Sequence, residues 1–136
     1  MKKLILILMV GSLFVGCANM KSIQQIQAQN RTNLNLISLG DSKEKVFQIV
    51  GTETFNNVVD GTVSGTTINN PYKTETLVEN GKTYEVVFYY TQTLKNDRVI
   101  TNDELTPIVF YEGKVVGYGW LFVKDNIQRY QVDIRN

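Results

Sequence analysis

The sequence predicts an α+β domain, two N-terminal helices packed on one face of an antiparallel β-meander, set behind a cleavable leader. Three observations carry that expectation. An apolar run at the N-terminus ends at the chain's one cysteine, Cys17. Helix-start and helix-stop residues bracket apolar positions at helical spacing as far as Gly51. Beyond Gly51, valine, threonine and tyrosine become common, and Asn80-Gly81 supplies the strongest short hairpin signal, because both residues tolerate positive φ.

Met1-Lys2-Lys3 is a short positive region ahead of an apolar stretch over residues 4–15. A bilayer span needs roughly 20 apolar residues, so the stretch fits a signal sequence and not a permanent helix. Leu13-Phe14-Val15-Gly16-Cys17 resembles the lipobox of bacterial lipoproteins, with Phe14 where an aliphatic is commoner. The resemblance implies cleavage after Gly16 and covalent diacylglyceryl and N-acyl groups on Cys17. Residues 1–16 are then the signal peptide, 17–22 a lipidated tether, and 23–136 one domain. One acyl chain binds membrane with a constant of only about 10⁴ M⁻¹, whereas two or more anchor stably. Ala18 stands where an aspartate would signal inner-membrane retention, so in a Gram-negative cell the expected address is the periplasmic face of the outer membrane. Two other readings stay open: ordinary secretion with cleavage after Ala18, and Cys17 as a buried thiol in a retained helix.

Residues 22–36 are rich in glutamine and asparagine, and Ile23, Ile26, Leu34 and Ile37 fall near helical spacing, interrupted by Asn30 and Asn33. The segment reads as a helix over its second half or as an extension of the tether. Gly40 then ends what precedes it, and Asp41 or Ser42 caps a second helix. Glu44 lies at capping-box spacing from Asp41. Val46, Ile49 and Val50 line one face, and Gly51 stops the helix. Strands are expected over residues 52–59, 72–78, 83–93, 106–111 and 114–123, with turns at Asn80-Gly81 and Glu112-Gly113. Residues 60–70 and 95–105, rich in Thr, Asn, Asp and Gly, read as polar loops. Residues 124–136 fit a short helix capped by Asp125 or a further strand.

Composition narrows the chemistry. With no histidine and one cysteine in 136 residues, a Ser-His-Asp triad, a Cys-His dyad, a His-ligated zinc site and an internal disulfide are all excluded. Removal of Lys2 and Lys3 with the leader leaves 12 basic against 13 acidic residues, which offers no basic field to nucleic acid. Asp97, Asp103 and Glu104 share a loop but lack the calcium-loop pattern, and read as solvated charges. Glu79 and Lys82 flank a turn and read as a cross-strand pair. Without an imidazole and with no convergent acid–base pair, catalysis is not expected, and neither a metal nor a cofactor is called for.

The run Gly40-Asp41-Ser42-Lys43-Glu44-Lys45-Val46-Phe47-Gln48-Ile49-Val50-Gly51 resembles the signature of the SmpA/OmlA (BamE-like) lipoprotein family. Asp41 replaces the usual methionine, and Thr52-Glu53 stand where a proline commonly follows. The residues Asn70-Pro71-Tyr72-Lys73-Thr74-Glu75, Val87-Phe88-Tyr89-Tyr90-Thr91, Leu105-Thr106-Pro107-Ile108-Val109-Phe110 and Gly117-Tyr118-Gly119-Trp120 are similar to an uncharacterised family of small bacterial lipoproteins with that same fold. The resemblance implies a BamE-like fold, shared with beta-lactamase inhibitor proteins, and a structural or interaction role at the cell envelope, such as an accessory in outer-membrane protein assembly. Fold alone does not choose the role. An inhibitor-like or ligand-sensing module using the polar loops is the alternative.

Period-two alternation over residues 114–123 puts Val115, Gly117, Gly119, Leu121 and Val123 on one sheet face, where glycine lets a helix approach. If Glu112-Gly113 is a two-residue turn, Phe110 pairs with Val115 and Ile108 with Gly117. Lys114, Val116, Tyr118, Trp120 and Phe122 then share the other face with Pro107, Val109 and Tyr111. The candidate protein-docking surface is that second face, around Tyr111, Tyr118 and Trp120, with Tyr89 beside them. Its unidentified partner would be an envelope protein, the membrane being engaged through the lipid on Cys17. The competing expectation is that the C-terminal segment or the long loop covers these aromatics as a second small core.

Overall fold

The computed structural model describes residues 20–59 and 62–127. The signal peptide, Cys17 and residues 128–136 lie outside the described residues, so the readings made of them stand on sequence alone. Among the described residues the chain is α+β, with three α-helices and two largely antiparallel sheets.

Helix α1 spans Ile23–Leu34, so it begins at the start of the segment and not in its second half. Its start is fixed by a capping box: the Ser22 hydroxyl accepts from Gln25 N, and the Gln25 side chain accepts from Ser22 N at 2.9 Å. Asn30, which breaks the apolar stripe, is a core residue in its own right. Its fully buried side-chain nitrogen donates to Asn70 Oδ1 and to the Tyr90 carbonyl, each at 2.8 Å. Helix α2 spans Lys43–Val50, and Ser42 caps it by accepting from Lys45 N. The expected Asp41–Glu44 capping box does not form, because Lys45 holds the third helical position. The Asp41 carboxylate turns back to Ser38 N at 2.9 Å and to the Lys45 ammonium at 2.7 Å.

Strand β1, Met20–Lys21, runs parallel to β2, Thr54–Val59, which pairs antiparallel with β3, Thr62–Asn69. Residues 60–70 are therefore no polar loop. Most of that segment is a strand, in which Ile68 lies opposite Phe55 and both are buried. Strands β4 (Lys73–Glu79), β5 (Lys82–Tyr90), β6 (Leu105–Tyr111) and β7 (Lys114–Tyr118) form a four-stranded antiparallel meander in chain order. Its turns sit where the sequence put them. Asn80 and Gly81, like Glu112 and Gly113, all adopt positive φ, as a two-residue hairpin turn demands.

Strand β7 ends five residues early. Phe110 faces Val115 as expected, but Val109 faces Gly117, so Val116 is an extra residue bulged out of register. Gly119, at φ +82°, then turns the chain into a third helix, α3, Gly119–Asn126. Residues 119–123 therefore lie in a helix and do not alternate as a strand; Val123 within it and Ile127 just past its end are both buried. A Cβ on Gly117 would lie 2.3 Å from the Phe122 ring, so this glycine admits a helix, though from the C-terminal side of the sequence.

Both faces of the meander are covered. On one, Val87, Tyr89, Ile108, Phe110 and Val115 pack with Leu34, Ile37, Val46 and Val50 of the α1–α2 layer. On the other, Val86, Phe88, Tyr90, Leu105 and Val109 pack with Val123 and Ile127 and with half-buried Trp120 and Phe122. Phe55, Ile68 and Ile26 extend this second core beneath the β2–β3 hairpin and α1.

Candidate functional site

The four aromatic residues expected on one docking face fall in four different settings. Tyr89 is fully buried on the α1–α2 side, its hydroxyl donating to the Gly51 carbonyl at 2.9 Å. Burial pushes the Tyr89 phenol above the ordinary tyrosine range. It is a core residue and cannot meet a partner. Trp120 stands in the first turn of α3, not on a strand. Its indole N–H donates to the Leu105 carbonyl at 2.7 Å, and its ring packs on Phe88 with centroids 5.9 Å apart. The second-core expectation therefore describes Trp120. Tyr118 is 48 % exposed, but the bulge at Val116 registers it with Ile108, on the sheet side opposite Tyr111.

Tyr111 lies on the sheet side that α3 covers. It lies half-buried at the end of β6 and faces Tyr84 of β5 across the strand pair, ring centroids 5.4 Å apart. The Lys82 ammonium sits over the Tyr111 ring, 5.4 Å from its centroid. Glu79 is opposite Lys82 in the β4–β5 register, yet Lys82 turns to the ring, and among the described residues the two form no ion pair. Tyr84 and Tyr111 line a groove of about 210 Å³ together with Lys82, Val109 and Val116 of the sheet and Phe122, Asn126 and Ile127 of the C-terminal segment. The lining thus mixes a cation, two phenols and an amide with four aliphatic or aromatic side chains.

The loop between β5 and β6 is organised by a residue whose role the sequence did not disclose. Glu104 is 1 % exposed, and its carboxylate accepts from Leu94 N at 2.6 Å, Lys95 N at 3.2 Å and Thr101 N at 3.1 Å. It is a buried acceptor that ties the loop together, not the solvated charge expected. Asp97 accepts from Val99 N and Asp103 from the Thr101 hydroxyl, so each of the three acids is engaged within the loop itself. Among the described residues no cluster of three acidic or cysteine side chains is placed to hold a metal ion. A shallow cleft of about 130 Å³ opens in the same loop, between Leu94, Val99 and Asp103.

An α+β domain with a four-stranded meander between two helical layers and one aromatic groove beside α3 is the class of protein these observations define. The chain belongs to a family described as a protein of unknown function, DUF3192, whose model matches residues 7–124. No curated protein matches the chain, and no solved structure does. No helix of the described residues is long and apolar enough to cross a membrane.

Proposed function

We propose that this protein is a lipid-anchored interaction module of the bacterial cell envelope. Acyl groups on Cys17 hold it at a membrane surface, and the groove beside Tyr84 and Tyr111 docks a partner protein. The observation that carries the docking role is the groove itself: two tyrosines and a lysine held by strands β5 and β6, lined also by Val109, Val116, Phe122 and Ile127. The anchor rests on the positive region, the short apolar stretch and Gly16-Cys17, and the family match begins inside that leader. The order of leader, tether, two helices and meander supports a BamE-like fold and, through it, a role as an accessory in outer-membrane protein assembly. No catalytic role is assigned.

Two measurements test the two halves separately. Mass spectrometry of the mature N-terminus should find an acylated Cys17, and Cys17→Ser should move the processed protein out of the membrane fraction; unchanged fractionation of the processed chain would refute the anchor. A photo-crosslinking residue at position 111 should trap a discrete envelope protein, and one at Tyr118, on the opposite side, should not. Equal trapping at both positions, or none at 111, would sink the docking role.

A further inference from the structure

The meander has two edges, and the fold treats them differently. Along β7, the segment before α2 closes the edge: Val115 N donates to the Asp41 carbonyl at 2.9 Å, Gly40 N to the Val115 carbonyl at 2.8 Å, and Lys43 N to the Gly113 carbonyl at 3.0 Å. Along β4 no strand among the described residues pairs with the outer edge. The Asn80-Gly81 turn makes Glu79 and Lys82 a hydrogen-bonded pair, so alternate residues Leu77, Glu75 and Lys73 also bond inward to β5. The N–H and C=O groups of Thr74, Thr76 and Val78 therefore point outward. The side chains of these three residues are exposed, Val78 at 72 %.

We propose that two copies of this chain join here, β4 against β4, antiparallel about a two-fold axis through Thr76, merging their meanders into one continuous sheet. The register follows from charge. Only outward-pointing residues can meet as hydrogen-bonded pairs, which restricts the two-fold axis to a few positions along the strand. Centred on Thr76, Lys73 meets Glu79 of the partner subunit at each end, and Thr74 meets Val78 of the partner subunit. Shifting the axis to Leu77 sets Glu75 against Glu79 of the partner subunit twice, and shifting it to Glu75 sets two copies of Glu75 face to face. The register with the fullest strand overlap is thus the one with opposite charges at both ends. Glu79 makes no ion pair within its own chain among the described residues, while Lys73 already stands over Phe88 between Glu75 and Asn102. A two-fold contact is self-complementary, so one open edge suffices to close the assembly and no free edge propagates.

The full chain in detergent micelles, oxidised and run without reductant, tests the pairing directly. Hydrogen-bonded antiparallel partners have Cα atoms about 5.5 Å apart, within disulfide reach, so Thr76→Cys should give a reducible dimer well above the wild-type level. Thr74→Cys should not, because its own symmetry mate lies roughly 13 Å away along the strand. Lys73→Glu and Glu79→Lys should each weaken the dimer in sedimentation, whereas an equimolar mixture of these two variants should dimerise, since both end pairs become opposite in charge. Circular dichroism on each variant confirms the folded state. Equal disulfide yield at positions 74 and 76, or a mixture no more dimeric than its components, would overturn the proposal, and neither result bears on the anchor or on the groove.

Discussion

The Tyr89 hydroxyl is the clearest case of one atom carrying a measurable consequence. It bonds the Gly51 carbonyl at the stop of α2, in a setting where burial disfavours the phenolate. The sign follows from linkage. Below the unfolded-state value of about 10, both states hold the proton, and the bond's contribution is fully present. Above it the unfolded chain releases a proton that the folded chain keeps, so stability falls as pH rises toward the elevated folded value. Tyr89→Phe should cost about 1 kcal/mol in urea unfolding near pH 7 through the lost hydrogen bond. It should also flatten the alkaline decline, so that the gap to wild type narrows above about pH 10; a gap that stays constant there would show that Tyr89 ionises freely in the fold. Glu104 makes a related point about legibility. Its charge suggested solvent, and only the folding of residues 94–101 around it, three N–H groups turned inward, reveals a buried acceptor.

Elements were legible where a local signal fixes them and illegible where a single residue redirects the chain. Ser42 and Gly51 bracket α2 because a hydroxyl cap and a positive-φ stop act within one turn of the helix. The two hairpin turns of the meander were readable for the same reason. Strand β3 was not, because its threonines stand among Asn, Asp and Gly in a segment of loop-like composition, although β-branched side chains favour strands. The β7–α3 junction was hidden by the bulge at Val116, which shifts every later residue by one and so separated Tyr118 from Tyr111. That junction yields its own prediction. A methyl on Gly117 would strike the Phe122 ring near its base, at Cγ as well as Cδ2, where the ring cannot swing aside cheaply. Gly117→Ala should destabilise by about 1–3 kcal/mol in chemical denaturation. Combined with Phe122→Ala, it should cost less than the two single changes added together, since the second removes the clash. Strict additivity would mean that the chain relaxes elsewhere.

At the scale of the whole molecule, one sheet serves two cores. Consecutive β5 residues point to opposite sides, Val86 toward α3 and Val87 toward α1–α2, and both are fully buried. The helical layers are therefore coupled through the same backbone. This predicts a single cooperative transition. The chain's one tryptophan, Trp120, sits in the α3 core and reports only that side directly. Val87→Ala removes methyl groups from the opposite core and should destabilise by roughly 1–3 kcal/mol, as should Val86→Ala. If the molecule unfolds as one unit, Val87→Ala will shift the Trp120 fluorescence midpoint by the same amount as the far-ultraviolet circular dichroism midpoint, although the mutated side chain lies across the sheet from the indole. A fluorescence midpoint that stays at the wild-type value while the dichroism midpoint falls would show that the α1–α2 layer melts off first. The meander and α3 would then be the stable unit, and the groove at Tyr84 and Tyr111 would survive without the N-terminal helices.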